Sequence, residues 1–182
     1  MEKKSKTFEI VYIGLMAAII CILGPLSIPI GVIPISFTNL AVYIVIYSLG
    51  MKKGSISYII YMLLGFVGLP VFSNFSGGPS KLFGPTGGYI IGFFFMTLIA
   101  GFFIDKYFEK WYLCISGMVV GTAVCYIFGS FWLAYQAHLT ASNALAIGVI
   151  PFIPGDIAKI LIASIVGPQI RQRLIKSNLY KS

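Results

Sequence analysis

Apolar residues run along this chain in six blocks, at residues 8–24, 35–49, 56–69, 89–104, 113–135 and 155–170, separated by short polar segments. The hydrocarbon core of a bilayer, roughly 30 Å thick, takes about 20 helical residues to cross. The second and third blocks fall short of that length. They read either as two short spanning helices or as one re-entrant pair. Between the third and fourth blocks the pattern stops: residues 65–89, GFVGLPVFSNFSGGPSKLFGPTGGY, are dense in glycine and proline. That density predicts a defined turn path rather than a helix, with residues 70–88 as a loop.

Composition decides what surrounds the blocks. Hydrophobic residues make up 58% of the 182 and charged residues 10%, against roughly 45–50% and about 25% in ordinary soluble chains. A globular core of this size cannot hide so much apolar surface, so lipid must solvate it. Disorder, a disulfide scaffold, a coiled coil and a soluble enzyme are excluded on that ground. The net charge of +8 would suggest nucleic acid were it spread over a folded basic surface, but no soluble segment is long enough to build one.

The charges instead punctuate the blocks. Lys3, Lys4 and Lys6 precede the first; Lys52 and Lys53 lie between the second and third. Lys106 and Lys110 separate the fourth from the fifth, and Arg171, Arg173, Lys176 and Lys181 follow the sixth. Six spanning helices with the amino terminus inside put every one of these clusters on the cytoplasmic face, leaving Lys81 for the outer loops. Counting the short blocks as two helices satisfies this rule, and dropping one breaks it. The expectation is an all-α, multi-pass protein of the cell membrane, a single membrane domain over residues 1–182 with both termini cytoplasmic.

Little of the polar inventory suggests catalysis. Cys21, Cys114 and Cys125 all sit inside apolar blocks without C-x-x-C spacing, so they read as small hydrophobes rather than disulfide or metal ligands. His138 is the sole histidine, and no metal-ligand partners stand near it in sequence. No phosphate-binding G-x-x-x-x-G-K-[ST] loop is present, so the chain does not itself hydrolyse ATP, and no cofactor is expected.

Two regions do concentrate chemistry. In the outer loop, Ser73, Asn74, Ser76, Ser80 and Thr86 alternate with Phe72, Phe75, Phe83 and Tyr89, a mixture suited either to a half-polar ligand cavity or to a structural cap. At the head of the last block, Pro154-Gly155-Asp156-Ile157-Ala158-Lys159 places an acid and a base three residues apart on one helical face. Ionisable groups in a spanning segment cost at least about 2.5–3.5 kcal/mol each and tend to mark function. Either the two neutralise each other at the outer interface, or each meets a complementary ligand group. A weaker signal is the spacing of Gly14, Ala17, Ala18 and Cys21, which gives the first helix a small-residue face for close packing, within the chain or against a partner.

Three strings, Gly68-Leu69-Pro70-Val71-Phe72, Phe83-Gly84-Pro85-Thr86-Gly87-Gly88-Tyr89 and Phe152-Ile153-Pro154-Gly155-Asp156-Ile157-Ala158-Lys159, closely resemble those of the BioY proteins, the biotin-capturing S components of energy-coupling factor (ECF) transporters. Helix count and motif order agree over nearly the whole chain. Residues 33–40 depart from the family pattern at Thr38, where a glutamine is common. The resemblance implies a six-helix membrane fold that binds biotin from outside. It also implies partners: a transmembrane coupling subunit, met through Gly14, Ala17, Ala18 and Cys21, and two ATPases.

The candidate biotin-binding residues are Asp156, Lys159, Asn74, Tyr89, Phe72, Lys81, Thr86 and Gly87. In that set Asp156 accepts from the ureido N–H groups, Asn74 meets the ureido oxygen or an N–H, and Phe72 and Tyr89 form walls. Lys159, or Lys81, holds the valerate carboxylate. Two other readings are a stand-alone biotin facilitator and an intramembrane enzyme using Asp156 with His138; the second lacks a nucleophile elbow.

Overall fold

The computed structural model describes residues 6–29, 33–177 and 179; Lys3, Lys4 and Lys181 of the terminal charge clusters lie outside them. The described chain is mostly helical: α1 (Lys6–Leu23), α2 (Thr38–Val67), α3 (Pro79–Leu82), α4 (Gly87–Lys106), α5 (Trp111–Gln136), α6 (Ala141–Gly148) and α7 (Ile153–Lys176). A 3-10 turn at Ile150–Phe152 leads from α6 into α7. Two strands of two residues each, β1 (Ser27–Ile28) and β2 (Ile35–Ser36), pair antiparallel with Ser27 opposite Ser36. By length and composition, α1, α4, α5 and the segment Ala141–Lys176 can each cross a membrane.

The main departure from the sequence pattern is α2. Two helices joined by a lysine-bearing loop were expected; instead one 30-residue element is broken at a single residue, Gly50, with φ 78° and ψ 177°. That backbone geometry is open essentially to glycine alone. Residues eight apart in an unbroken helix stand about 12 Å from each other along the axis. Here a methyl group added at Gly54 would lie only 3.5 Å from the Ile46 Cα. The two arms, 38–49 and 51–67, therefore fold back beside one another. Lys52 and Lys53 sit in the first turn of the second arm, where Lys53 reaches Glu9 of α1 at 2.9 Å.

The first arm explains its own brevity. Ala41, Val42, Tyr43, Val45, Ile46 and Tyr47 are all buried, so this arm is apolar around its whole circumference and is wrapped by protein rather than lipid. It packs against α4 and α7, while the longest seam joins α4 to α5. Glycines set the depth of that seam: a Cβ on Gly92 would stand 3.0 Å from the Cys125 Cα. Gly129 leaves the space that the Tyr89 ring fills.

One carboxylate ties three elements at the basic end of the bundle. Asp105, in the last turn of α4, accepts from the Met51 backbone N–H at 2.7 Å through Oδ2 and from Arg171 of α7 at 2.9 Å through Oδ1. It thereby satisfies one of the free N–H groups at the start of the second arm. Arg171 is 3% exposed and lies over the Phe108 ring at 4.8 Å. Contacts of Lys53, Met51 and Arg171 thus bring the amino end of α1, the break in α2 and the carboxyl ends of α4 and α7 together.

Gly50→Ala is expected to lower stability by roughly 1–3 kcal/mol, because alanine pays for a glycine-only geometry. Thermal unfolding in detergent reads this directly, and an unchanged melting temperature would show that the break does not require glycine.

Candidate functional site

At the opposite end of the bundle a cavity of about 670 Å³, its open mouth included, lies between the β1–β2 hairpin, the start of α2, the 70–88 loop and the heads of α4 and α7. Ring faces and aliphatic groups of Tyr61, Phe72, Tyr89, Ile90, Phe93 and Phe152 form most of its wall. Polar groups gather on one side around Asp156 and Lys159.

The geometry of that pair follows from α7. Pro154 lies in its first turn, where the missing N–H costs nothing, and Asp156 follows within the turn, where free amides and the helix dipole favour a negative charge. Lys159, one turn on, reaches Asp156 Oδ1 at 3.0 Å. Both residues are buried, Asp156 at 8% and Lys159 at 7% exposure. A bare ion pair so far from water would be costly; neutral partners offset the cost. Asn39 Nδ2 donates to Asp156 Oδ1 at 2.7 Å, the Tyr126 hydroxyl donates to Oδ2 at 2.6 Å, and Lys159 Nζ donates to the Ser36 carbonyl at 2.7 Å. The pair neither snorkels outward nor faces lipid.

Deeper in the cavity, Thr122 shares a 2.6 Å hydrogen bond with the fully buried Tyr43 hydroxyl and donates to the Met118 carbonyl at 2.8 Å. On the wall, the Phe72 ring stacks edge-on to Tyr61 with centroids 5.5 Å apart and occupies the space left by the absent side chain of Gly65. A backbone bridge between Phe72 and Ser76 fixes the loop that delivers it. The Tyr89 hydroxyl donates to the Gly148 carbonyl of α6 at 2.8 Å, so Tyr89 presents its ring to the cavity with its polar end already committed.

Of the candidate biotin-binding residues, the fold brings Asp156, Lys159, Phe72, Tyr89 and Thr86 to the cavity lining, and leaves Asn74, Lys81 and Gly87 out of it. Asn74 sits at φ 61° and is clasped to the hairpin: its Oδ1 lies 2.7 Å from the Ser27 hydroxyl oxygen, and its N–H donates to that oxygen at 2.9 Å. Its amide is thereby used between two loops. Lys81 belongs to α3, and partial burial pulls its ammonium pKa below the ordinary lysine value. Gly87 packs under the Leu82 carbonyl and the Trp132 indole, where a side chain would not fit.

On α1, Gly14 and Ala18 are exposed and Cys21 is half-buried, but Ala17 is 1% exposed and faces the interior. The small-residue face therefore divides, with Ala17 serving packing within the chain. His138 is exposed, at φ 51°, and is not a lining residue.

Sequence reasoning missed Asn39, Tyr126 and Thr122. Asn39 had a signal, as the one amide at the head of an otherwise apolar block. Tyr126 and Thr122 share a face of α5 four residues apart, yet nothing along the chain ties them to an acid on α7.

The family model described as BioY family matches residues 1–176. The biotin transporter BioY2 of Lactococcus lactis subsp. cremoris is 33% identical over 178 residues, covering 98% of each chain. The biotin transporter BioY of Thermotoga maritima is 34% identical over 165 residues, covering 90% of this chain and 96% of its own. Among solved structures, the crystal structure of the S-component for biotin from an ECF-type ABC transporter superposes with a TM-score of 0.86 at 30% identity, over 94% of this chain and 95% of that one.

Breaking the buried pair on one side should cost more than removing its charge from both. Lys159→Met alone leaves Asp156 without its cation and is expected to destabilise by roughly 3–5 kcal/mol. Adding Asp156→Asn should recover part of that loss in thermal unfolding. A double variant as unstable as the sum of the singles would mean that the two charges do not interact.

Proposed function

This chain belongs to the BioY family, and on that footing we propose that it is the biotin-binding S component of an ECF-type transporter of the cell membrane. Family membership makes it a transporter component and not an enzyme. The observation that carries the biotin reading is the polar cluster around Asp156, set on one side of an otherwise aromatic cavity.

Counting open hydrogen-bond positions in the cluster indicates what it can receive. A carboxylate offers about four acceptor sites; three on Asp156 are used, which leaves one on Oδ2. Lys159 uses two of its three N–H groups, and Asn39 uses one of two. The cluster thus has one acceptor and two donors to spare, side by side. A cyclic urea presents the complement, an N–H beside a carbonyl oxygen. In this reading the ureido N–H donates to Asp156, and Lys159 with Asn39 donates to the ureido oxygen. The thioether ring then lies against Phe72 and Tyr89.

This arrangement revises one sequence-based assignment. Lys159 and Asp156 serve the same end of the ligand, because a carboxylate brought to Lys159 would also meet the Asp156 charge about 3 Å away. The valerate therefore extends toward the mouth. Lys81, whose carbonyl accepts from the Thr86 hydroxyl at 3.4 Å, is the cation of the loop there. Asn74 acts on the lid rather than on biotin, holding the 70–88 loop to the hairpin.

The bundle crosses the membrane six times in this reading, with the arms of α2 as the second and third spans, the basic end in the cytoplasm and the cavity outside. Biotin enters under the two clasped loops. Inward delivery draws on a transmembrane coupling subunit and two ATPases, which suits a chain without a phosphate-binding loop of its own. Gly14 and Ala18, with Cys21 at the margin, form the face offered to the coupling subunit.

Calorimetric titration of the purified protein with biotin and with its uncharged carboxamide tests this. Biotin should bind, the carboxamide should lose no more than about tenfold, and Asp156→Asn should weaken both by roughly 10- to 100-fold, as removal of a charged hydrogen-bond acceptor does. No binding of biotin would end the reading. Wild-type affinity in Asp156→Asn would refute the placement of the ureido group.

A further inference from the structure

The basic end of the bundle carries two adjoining open hollows that the transport reading does not use. One, of about 820 Å³, lies at the turn between α4 and α5 and is lined by charged side chains. The other, of about 750 Å³, lies between α5 and α7 and is mainly apolar; Phe108 and Glu109 line both.

The charges in the first hollow do not balance. Arg171 and Asp105 are committed to each other, and Asp105 also takes the Met51 N–H. That leaves Glu109 against Lys106 and Lys110. Lys106 holds its ammonium 5.2 and 5.4 Å from the Phe102 and Tyr107 ring centres and makes no ion pair among the described residues. Lys110 is the N-cap of the 26-residue α5. Its side chain makes no capping bond, and no acidic residue stands in the first turn. A lysine there faces the like-charged end of the helix dipole, where an anion is the group physics favours.

The second hollow says which anion. It continues from the cationic one into the groove between α5 and α7, over a floor that holds the buried Tyr47 and Cys114 and past Trp111 and Pro168. Trp111 is 69% exposed, as expected of an aromatic at a membrane–water boundary. A free phosphate would use only the first hollow; a phospholipid uses both. Basic pockets between membrane helices on the cytoplasmic side are a recurrent setting for anionic headgroups.

We propose that this end of the protein binds one anionic phospholipid, with its phosphate between Lys106 and Lys110 at the start of α5 and an acyl chain in the hollow between α5 and α7. The lipid would neutralise the uncapped amino end of α5 and brace α5 against α7, helices that meet again farther up through Tyr126 and Asp156. The site is independent of what the cavity binds.

Trp111 supplies the probe. The full-length protein is placed in vesicles of zwitterionic lipid containing brominated phosphatidylglycerol, and the part of the fluorescence quenching due to Trp111 is taken as the difference from Trp111→Phe. At about one tenth brominated anionic lipid, that quenching is expected to match at least roughly threefold more brominated phosphatidylcholine, since each lysine near an anionic headgroup contributes severalfold. Lys106→Gln/Lys110→Gln should reduce the quenching to that of the bulk mole fraction, and Lys110→Gln alone should give an intermediate value, with thermal unfolding in lipid-free detergent unchanged in both. The proposal is overturned if wild-type quenching follows the bulk fraction, if the double variant keeps the anionic preference, or if that preference persists undiminished in Trp111→Phe.

Discussion

The ion pair of Asp156 and Lys159 is the constraint around which the rest of the molecule is arranged. Two opposite charges at the head of a helix in a largely apolar protein lose most of their hydration. The attraction between them does not recover that loss without further hydrogen bonds. The sequence answers with groups from three other elements: an amide from α2, a hydroxyl from α5 and a carbonyl from β2. Each needs its element held to within a fraction of an ångström, so the cavity is shaped by the need to satisfy the pair. A site built this way is organised before any ligand arrives, and less binding energy goes into ordering it.

That demand reaches the far end of the bundle. α2 carries Asn39 at its start and the Gly50 break eleven residues further on, and α7 carries Asp156 at its start and Arg171 near its end. Asp105 joins the break to Arg171 through one carboxylate. The same two helices are therefore fixed to each other at both ends, by a charged cluster in each case, with apolar contacts between. The arrangement controls the axial register of α2 against α7, on which the 2.7 Å contact from Asn39 to Asp156 depends.

Much of this was legible in the sequence. The apolar blocks gave the long helices α1, α4, α5 and α7, since spanning segments must be apolar and internally hydrogen-bonded. Their ends were missed where polar residues continue the helix, as in the arginine-bearing last turns of α7. The fold-back of α2 was not legible, because its cause is one backbone conformation at Gly50 together with a cap from Asp105, more than fifty residues away. The same holds for the site. Asp156 and Lys159 stood out as isolated charges, but Asn39 lies 117 residues from its partner and Tyr126 lies 30. That Asn74 lies outside the cavity lining was not legible for a different reason: composition says that a loop mixes an amide with aromatics, and says nothing of which way that amide points.

The position of Asn74 bears on how the cavity can open. A lid held by contacts to the ligand would be loose when empty and would have to be ordered on each binding event. Here the clasp between Ser27 and Asn74 joins the two loops to each other through residues that do not themselves line the cavity. Its hydrogen bonds are exposed, so water can replace them at little net cost when the loops part. The Phe72 ring, by contrast, is fully buried against Tyr61 and Gly65, and moving it would expose aromatic surface. The cheaper motion is to separate the hairpin from the 70–88 loop while Phe72 stays seated. On the transport reading, entry then requires the loss of a few solvated hydrogen bonds, and the contacts of Asp156 with Asn39 and Tyr126, which belong to neither loop, stay in place to select what enters.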